Sequence, residues 1–211
     1  MKYGNVLVLA PHTDDAELGC GGTIARMLEE GTEVYVAAFS TAMESLPPDA
    51  PPDTLKKEFL EAMSIMGVKH DNIFVYDFPV RKLSYQRQEV LDELIRLRRI
   101  VNPDLVLLPS SNDVHQDHQV VHAEGIRAFK EVSVLGYELP WNQTHSCVPA
   151  VVRLERRHVE RKWQALQAYQ SQLKLGRSYF SQEFIMGLAA VRGIQMKMDL
   201  AEAYEVLRVS I

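Results

Sequence analysis

The sequence has little cysteine and only short hydrophobic runs. Two of its 211 residues are cysteine and they form no CxxC pair, so we expect no disulfide framework and predict a cytoplasmic protein. Apolar runs such as residues 6–10 and 105–108 fall far short of the roughly 20 residues that a membrane helix needs. The N-terminus also lacks a cleavage site of small residues, which argues against a signal peptide. We therefore expect no membrane span.

The chain has no excess of positive charge. Lysine and arginine total 23 against 28 aspartate and glutamate residues, so the formal net charge is −5, and there is no long basic run. Because nucleic-acid binders usually carry a basic patch, no nucleic-acid partner is expected. Hydrophobic residues make up 46% and charged residues 24%, which is typical of a globular protein. The length predicts a single domain over residues 1–211 with one substantial core.

Several motifs of nucleotide binding and catalysis are missing. The sequence contains no P-loop and no G-x-S-x-G nucleophile elbow. The glycines within residues 19–22 do not form a G-x-G-x-x-G fingerprint, because Ile24 occupies the position of the last glycine. We expect these glycines to let a helix pack closely on the sheet.

Apolar segments with strand character alternate with amphipathic segments along the chain. The expected strands cover residues 5–10, 33–40, 73–76, 104–108, 132–138 and 148–154. One expected helix ends at Gly31, and the others cover residues 54–66, 86–101, 117–130, 156–172 and 182–193. Residues 202–209 fit either a helix or a strand. Residues 160–162 are expected on a solvated helix face. The alternation predicts an α/β protein with a Rossmann-like, three-layer, doubly wound and mostly parallel sheet.

Two polar clusters follow predicted strands. His12, Asp14 and Asp15 come directly after the first strand. The second cluster follows the strand at 104–108 and contains Asp113, His115, Asp117 and His118. Because ligands of open α/β sheets bind beyond the carboxyl ends of the strands, we expect the two clusters to meet.

Histidine and aspartate are suitable ligands for a borderline cation such as Zn²⁺. His12 and Asp15 with one histidine of the second cluster make a two-histidine, one-carboxylate set that leaves a position for water. A spare carboxylate, Asp14 or Asp117, is placed to accept the proton of that water. A spare histidine, His115 or His118, is then available to stabilise an oxyanion or to protonate a leaving group. The alternative is that Asp14, Asp15 and Asp117 only cap the helices that follow them.

At these residues the sequence resembles the LmbE-like, or PIG-L, family of zinc-dependent N-acetylglucosaminide de-N-acetylases. Residues 12–17, HTDDAE, resemble its HPDD motif, and residues 115–118, HQDH, resemble its HxDH motif. Residues 165–172, ALQAYQSQ, and 201–204, AEAY, resemble two later family segments in the same order.

The resemblance implies a reaction and a role for each site residue. It implies hydrolysis of the N-acetyl group of a small amino-sugar conjugate, with Zn²⁺ as cofactor and Fe²⁺ as an ion that fits the same ligands. It implies that His12, Asp15 and His118 bind the metal and that Asp14 is the general base. His115 would stabilise the oxyanion or protonate the amine, and Asp117 would orient His115.

The sequence departs from the family pattern where the substrate is held. Thr13 replaces the usual proline, and residues 54–57 contain no arginine where the family often has one that grips the substrate. Arg81 is a substitute candidate, and Trp141 is a candidate for contact with a sugar face or with a neighbouring subunit. A homo-oligomer is expected by analogy. Two other functions remain open: a metal-dependent amidase for a non-sugar amide, and a nucleotide- or sugar-binding module without catalysis.

Overall fold

Strands and helices alternate along the chain, which confirms the predicted α/β class. The structure is a computed structural model that describes residues 3–47 and 49–210. The strands are β1 (Asn5–His12), β2 (Glu33–Ser40), β3 (Ile73–Val75), β4 (Leu105–Pro109), β5 (Ser133–Tyr137), β6 (Ala150–Leu154) and β7 (Leu200–Arg208). The helices are α1 (Asp15–Glu29), α2 (Thr54–Met66), α3 (Arg87–Val101), α4 (Gln116–Ala128), α5 (Arg156–Leu166), α6 (Gln170–Leu173) and α7 (Gln182–Ile194).

The strands of the described chain form one mixed sheet in the order β3-β2-β1-β4-β5-β7-β6. The pairs from β3 to β5 are parallel, whereas β7 runs antiparallel to both β5 and β6. From β1 the chain adds β2 and β3 on one side, and β4 and β5 extend the sheet on the other. The strand order therefore reverses between β1 and β4, and this reversal opens a crevice at their carboxyl ends.

Both faces of the sheet are covered by helices, which explains why β1 is apolar at consecutive positions. Val6 and Val8 point into the core under α1, α2, α5 and α7, whereas Leu7 and Leu9 point into the core under α3 and α4. A strand alternates its side chains between faces, so a strand covered on both faces buries every one of them. The result is the predicted three-layer arrangement.

Helix α1 lies very close to the sheet because glycines occupy its inner face. A Cβ atom at Gly19 would lie 2.3 Å from the Tyr137 ring, and one at Gly22 would lie 2.5 Å from Leu154 Cδ1. These contacts are far shorter than van der Waals contact, so larger residues would push the helix outward. The prediction that residues 19–22 allow close packing is confirmed.

A kink at Cys20 interrupts α1 and is stabilised by a buried ion pair. Lys162 Nζ donates to the carbonyl of Leu18 and to Glu202 Oε1, both at 2.8 Å, and the Glu202 carboxylate accepts the N–H groups of Gly22 and Thr23 at 2.9 and 2.7 Å. The expected solvated face at residues 160–162 is therefore wrong for Lys162, which is 5% exposed. The kink frees backbone groups in the interior, and buried backbone groups need partners.

One further expectation is corrected, and one that the sequence left open is resolved. The helix predicted over residues 156–172 is interrupted after Leu166, and α6 begins at Gln170. In the interruption Tyr169 turns inward and is fully buried, so the packing of one aromatic ring overrides the helical periodicity. Residues 202–209 lie mainly in a strand, because β7 pairs with β5 and β6 on its two edges.

Cys20 is buried and Cys147 is exposed, and both are free thiols. Within the described residues, no helix combines the length and the apolar character that crossing a bilayer requires.

Candidate metal and catalytic site

A cleft of about 320 Å³ lies at the crevice between the carboxyl ends of β1 and β4. His12 is the last residue of β1; Asp14 follows after Thr13 at the N-cap position of α1, and Asp15 is the first residue of that helix. The second cluster lies in the loop after β4 and in the first turn of α4. The structure brings the two clusters together: His12 Nδ1 and His118 Nε2 are 3.2 Å apart.

Three donor atoms of the cleft form a nearly equilateral triangle. His12 Nδ1 lies 3.2 Å from both His118 Nε2 and Asp15 Oδ2, and the third side, His118 Nε2 to Asp15 Oδ2, is 3.3 Å. Ligands about 2.0–2.1 Å from a tetrahedral Zn²⁺ are separated by about 3.3 Å. The donors present here therefore fit a tetrahedral metal ion with one position left over.

Each histidine of the triangle is bound on its other nitrogen by a buried carboxylate. His12 Nε2 is 3.0 Å from Asp117 Oδ2, and His118 Nδ1 is 2.7 Å from Asp113 Oδ2. A carboxylate in this position holds the proton on the outer nitrogen and leaves the inner nitrogen free for a metal. Asp117 was expected to orient His115, but its carboxylate contacts His12 instead.

The charges of the triangle are strongly coupled. Burial lowers the pKa of His12, but hydrogen bonds to Asp117 and Asp15 outweigh it and raise the pKa to about 9. In the same way burial lowers the pKa of His118, and Asp15 and Asp113 raise it to about 10. Burial favours neutral Asp15, but the two histidines hold the pKa of Asp15 well below its usual range. The carboxylate and the two imidazoles therefore each favour the charged form of the other.

His115 lies beside the triangle, in surroundings that favour its neutral ring. Its ring centre is 4.9 Å from that of His12 and 4.5 Å from that of His118. Burial, followed by the charges of the two histidines, lowers its pKa to about 4. Its Nδ1 accepts the backbone N–H of Asp117 at 3.2 Å, so the remaining proton sits on Nε2. His115 also belongs to a group of three histidines near enough to hold a metal, but its Nδ1 already serves as the cap of α4.

Asp14 faces the cleft and does not cap α1 with its side chain. Only its backbone carbonyl takes part in the helix, accepting the N–H of Leu18 at 3.0 Å. Burial raises the pKa of Asp14 to about 6, and the charge of Asp15 adds to this effect. A carboxylate with a pKa near neutrality is suited to general-base catalysis.

Hydrogen bonds from a tyrosine hydroxyl stabilise the turn that carries Asp14. The hydroxyl of Tyr169 lies 2.5 Å from the carbonyl of Thr13 and 2.7 Å from Glu17 Oε1. Glu17 is fully buried, and burial raises its pKa to about 8, which favours the protonated carboxyl at neutral pH. Sequence reasoning placed Tyr169 in the core correctly but gave it no hydrogen-bonding role.

The outer part of the cleft contains arginines and aromatic rings from separate loops. Trp141 is stacked on Tyr179 with ring centres 4.0 Å apart and planes inclined by 8°, so one face of the indole is covered. Arg81 lines the cleft as expected, and so does Arg177, which sequence reasoning missed. Nothing in the residues around Arg177 marks a site, because only the folded chain brings its loop to the cleft.

Comparisons with known proteins agree on a family. A family model described as PIG-L: GlcNAc-PI de-N-acetylase matches residues 7–129. An Escherichia coli protein named as an uncharacterized deacetylase is 28% identical over 145 residues, which are 66% of this chain and 76% of that protein. The diacetylchitobiose deacetylase of Thermococcus kodakarensis is 32% identical over 131 residues, 58% of this chain and 48% of that protein. The matched part therefore spans about half the length of the Thermococcus relative.

Two solved structures have the same fold. The N,N'-diacetylchitobiose deacetylase of Pyrococcus horikoshii aligns with a TM-score of 0.80 and 19% identity, covering 97% of this chain and 84% of the other. The 4-carboxy-2-hydroxymuconate hydratase of Pseudomonas putida aligns with a TM-score of 0.79 and 20% identity, covering 100% and 98%. The family model covers more than half of the sequence and includes both polar clusters, and on that basis this chain belongs to the PIG-L family of de-N-acetylases.

Proposed function

We propose that this protein is a zinc-dependent hydrolase that removes the N-acetyl group from an amino sugar or its conjugate. The observation that carries the proposal is the closed triangle of His12 Nδ1, Asp15 Oδ2 and His118 Nε2, with Asp14 beside it. These three residues would hold the ion. A divalent cation bound there supplies Lewis-acid chemistry, because it polarises a carbonyl and makes water more acidic. Fe²⁺ fits the same ligand set.

Asp14 takes the proton of the attacking water. With a pKa of about 6 it is mostly ionised at pH 7 and yet basic enough to accept that proton. Once protonated, Asp14 is also a stronger acid than neutral His115, so we assign to Asp14 the return of the proton to the departing amine.

His115 stabilises the oxyanion that forms when the amide carbonyl is attacked. Its neutral ring carries the proton on Nε2, and a neutral imidazole N–H is a good hydrogen-bond donor but a weak acid. Of the two roles that the resemblance offered for His115, hydrogen bonding to the oxyanion agrees better with its low pKa.

Neutral polar side chains that line the cleft bind the sugar. Ser45, Asn142 and Gln172 line it and offer hydroxyl and amide groups for sugar hydroxyls. The named activities of the Thermococcus and Pyrococcus relatives also support an acetylated sugar substrate. A non-sugar amide and ligand binding without catalysis are the alternatives that the assay must exclude.

The remaining expectations belong to the same proposal. We propose that residues 1–211 act as one deacetylase domain, since β5 to β7 extend the sheet that residues 7–129 begin. A cytoplasmic location, expected from the low cysteine content, and a homo-oligomer, expected by analogy, both stay predictions.

The test is acetate release by the purified protein with added Zn²⁺ and with chelator. Methyl N-acetylglucosaminide and diacetylchitobiose are compared with an N-acetylated amino acid. We expect zinc-dependent acetate from the sugars and little from the amino acid. Acetate must be measured directly, because a hydratase shares this fold. Acetate from the amino acid alone, or no bound zinc, would reject the proposal.

A further inference from the structure

Lys162 and Glu202 bind the backbone of α1 on both sides of its kink. Cys20 has φ and ψ angles of −144° and 22°, which are not helical. In an uninterrupted helix the N–H of Gly22 would donate to the carbonyl of Leu18, four residues earlier. Here Glu202 Oε1 accepts that N–H at 2.9 Å, and Lys162 Nζ donates to that carbonyl at 2.8 Å. The ion pair therefore binds two groups that a helical hydrogen bond would otherwise join, and it fixes the kink.

The kink divides α1 into a front segment, residues 15–19, and a rear segment, residues 21–29. The front segment begins with Asp15, whose Oδ2 is one corner of the donor triangle. The backbone at Cys20 sets the angle between the two segments. The position of Asp15 in the cleft therefore depends on the geometry of the kink.

A short path of hydrogen bonds joins the ion pair to the turn that carries the proposed general base. Leu18, whose carbonyl binds Lys162, donates its own N–H to the carbonyl of Asp14 at 3.0 Å. Leu18 also lines both the cleft and a small cavity beside Lys162 and Glu202. A shift of Leu18 would therefore move the backbone of Asp14.

The residues around the kink do not favour a stable, straight helix. Glycines at positions 19, 21 and 22 weaken a helix. A Cβ atom at Gly21 would lie 2.8 Å from Lys162 Cγ, so this glycine leaves room for the lysine side chain. Lys162 and Glu202 are 5% and 7% exposed, and a buried ion pair is often no more stabilising than apolar residues of similar volume. A requirement for a fixed kink accounts for these residues better than stability does.

We propose that Lys162 and Glu202 are positioning residues of the active site. By fixing the kink they direct the front segment of α1, and they thereby place Asp14 and Asp15 in the cleft. Neither Lys162 nor Glu202 lines the cleft itself, so they act through the backbone of Leu18. This inference rests on the proposed function, in which Asp15 binds the metal and Asp14 transfers the proton.

The test compares a double variant with a control on the same two helices. Lys162→Met/Glu202→Gln removes both charges together, because Lys162→Met alone would leave an unpaired buried carboxylate and can prevent folding. The control is Glu29→Gln in the rear segment, where Glu29 binds Arg157 and His158 of α5 at 2.6 and 3.0 Å. Circular dichroism selects a temperature at which each protein is folded. Glu202→Gln alone replaces the double variant if that variant does not fold.

Zinc affinity and steady-state kinetics report on the site. Competition with a chromogenic chelator should show zinc binding weakened by about 10- to 100-fold in the double variant. At saturating zinc, kcat should fall by about 10- to 100-fold, whereas KM should stay within about 3-fold, since Ser45, Asn142 and Gln172 belong to other segments. Glu29→Gln should leave all three values within about 3-fold of the wild type. Wild-type values in the double variant, or equal losses in Glu29→Gln, would overturn the inference.

Hydrogen exchange in the metal-free proteins, followed by NMR, separates this inference from the proposed function. We expect the amide of Leu18 to exchange about tenfold faster or more in the double variant, and at the wild-type rate in Glu29→Gln. If the wild type bound no zinc, the proposed function would be rejected, while faster exchange would still support the positioning of the front segment. Unchanged exchange in the double variant would reject the inference, and zinc-dependent acetate release by the wild type would still support the proposed function.

Discussion

The floor and the rim of the cleft are constructed in different ways. We define the floor as the residues of the metal and catalytic cluster, His12, Asp14, Asp15, His115 and His118. We define the rim as Arg81, Trp141, Arg177 and Tyr179. Floor residues come from two turns at the ends of β1 and β4, whereas rim residues come from loops after β3, after β5 and between α6 and α7.

This difference separates the residues that carry out the reaction from the residues that select the substrate. Strands β1 and β4 are neighbours in a parallel ladder, so the positions of the floor donors follow from the sheet itself. Loops tolerate change, and the rim can differ between proteins that share a floor. One carboxylate connects the two regions, because Asp117 binds His12 in the floor and the backbone of Arg81 in the rim.

The largest expected effect comes from removing a floor donor. His12→Ala or His118→Ala opens the triangle, and we expect loss of bound zinc together with at least about a 10³-fold drop in deacetylation, since a Lewis acid contributes several kcal/mol. Elemental analysis by mass spectrometry measures the metal, and acetate release measures the activity. Full zinc occupancy in both variants would show that other residues bind the ion.

Asp14→Asn should separate metal binding from proton transfer. We expect full zinc content and a fall in kcat of roughly 10²-fold or more, the scale of lost acid–base catalysis. In the wild type, activity should fall as the pH drops through about 6, because Asp14 is then protonated and no longer accepts a proton. In the pH profile of the variant, this decrease in activity at acidic pH should be absent. Zinc loss equal to that of His12→Ala would make Asp14 a ligand instead.

Asp117→Asn and Asp113→Asn form a matched pair that tests the link between floor and rim. Each removes the charge of one carboxylate behind a floor histidine, and each should weaken zinc binding by about 10- to 100-fold. Asparagine offers one acceptor oxygen where Asp117 uses two, so only Asp117→Asn should also raise KM for the acetylated sugar, because it frees the backbone of Arg81 in the rim. Equal KM values in the two variants would show that the rim at Arg81 does not depend on Asp117.

Tyr169→Phe should have the smallest effect. It removes the hydroxyl between the carbonyl of Thr13 and Glu17, and we expect the free energy of unfolding to fall by about 1–2 kcal/mol. Zinc content should be unchanged and kcat should fall less than about tenfold, since the floor loses support but no donor. Denaturant titration and steady-state kinetics measure the two effects. A loss of zinc in this variant would place Tyr169 in the metal site.

Local patterns predicted much of the fold correctly. The helix at residues 54–66 is observed with the same bounds, and Gly67 ends it with a φ angle of +91° that favours glycine. Strand β2 also has its predicted bounds. In these segments the hydrophobic periodicity, the turn residues and the tertiary packing agree, so local reasoning is sufficient.

Local patterns failed where a distant partner decided the structure. Lys162 looked like a solvated residue, but Glu202 and the kinked backbone of α1 bind it in the interior. Asp117 lies two residues after His115, yet its carboxylate contacts His12, which is 105 residues away in the chain. Charged side chains can reach in several directions, and sequence spacing does not reveal which one is used.

The sequence by itself determined the two polar clusters, the strand ends that carry them and the family resemblance, because each depends on residues close together in the chain. Only the tertiary structure decided which atoms form the donor triangle, which carboxylate supports which histidine, and that Arg177 joins Arg81 at the cleft. Those contacts depend on the order of strands in the sheet and on the paths of three loops. They are distances between segments far apart in sequence, and such distances exist only after the chain has folded.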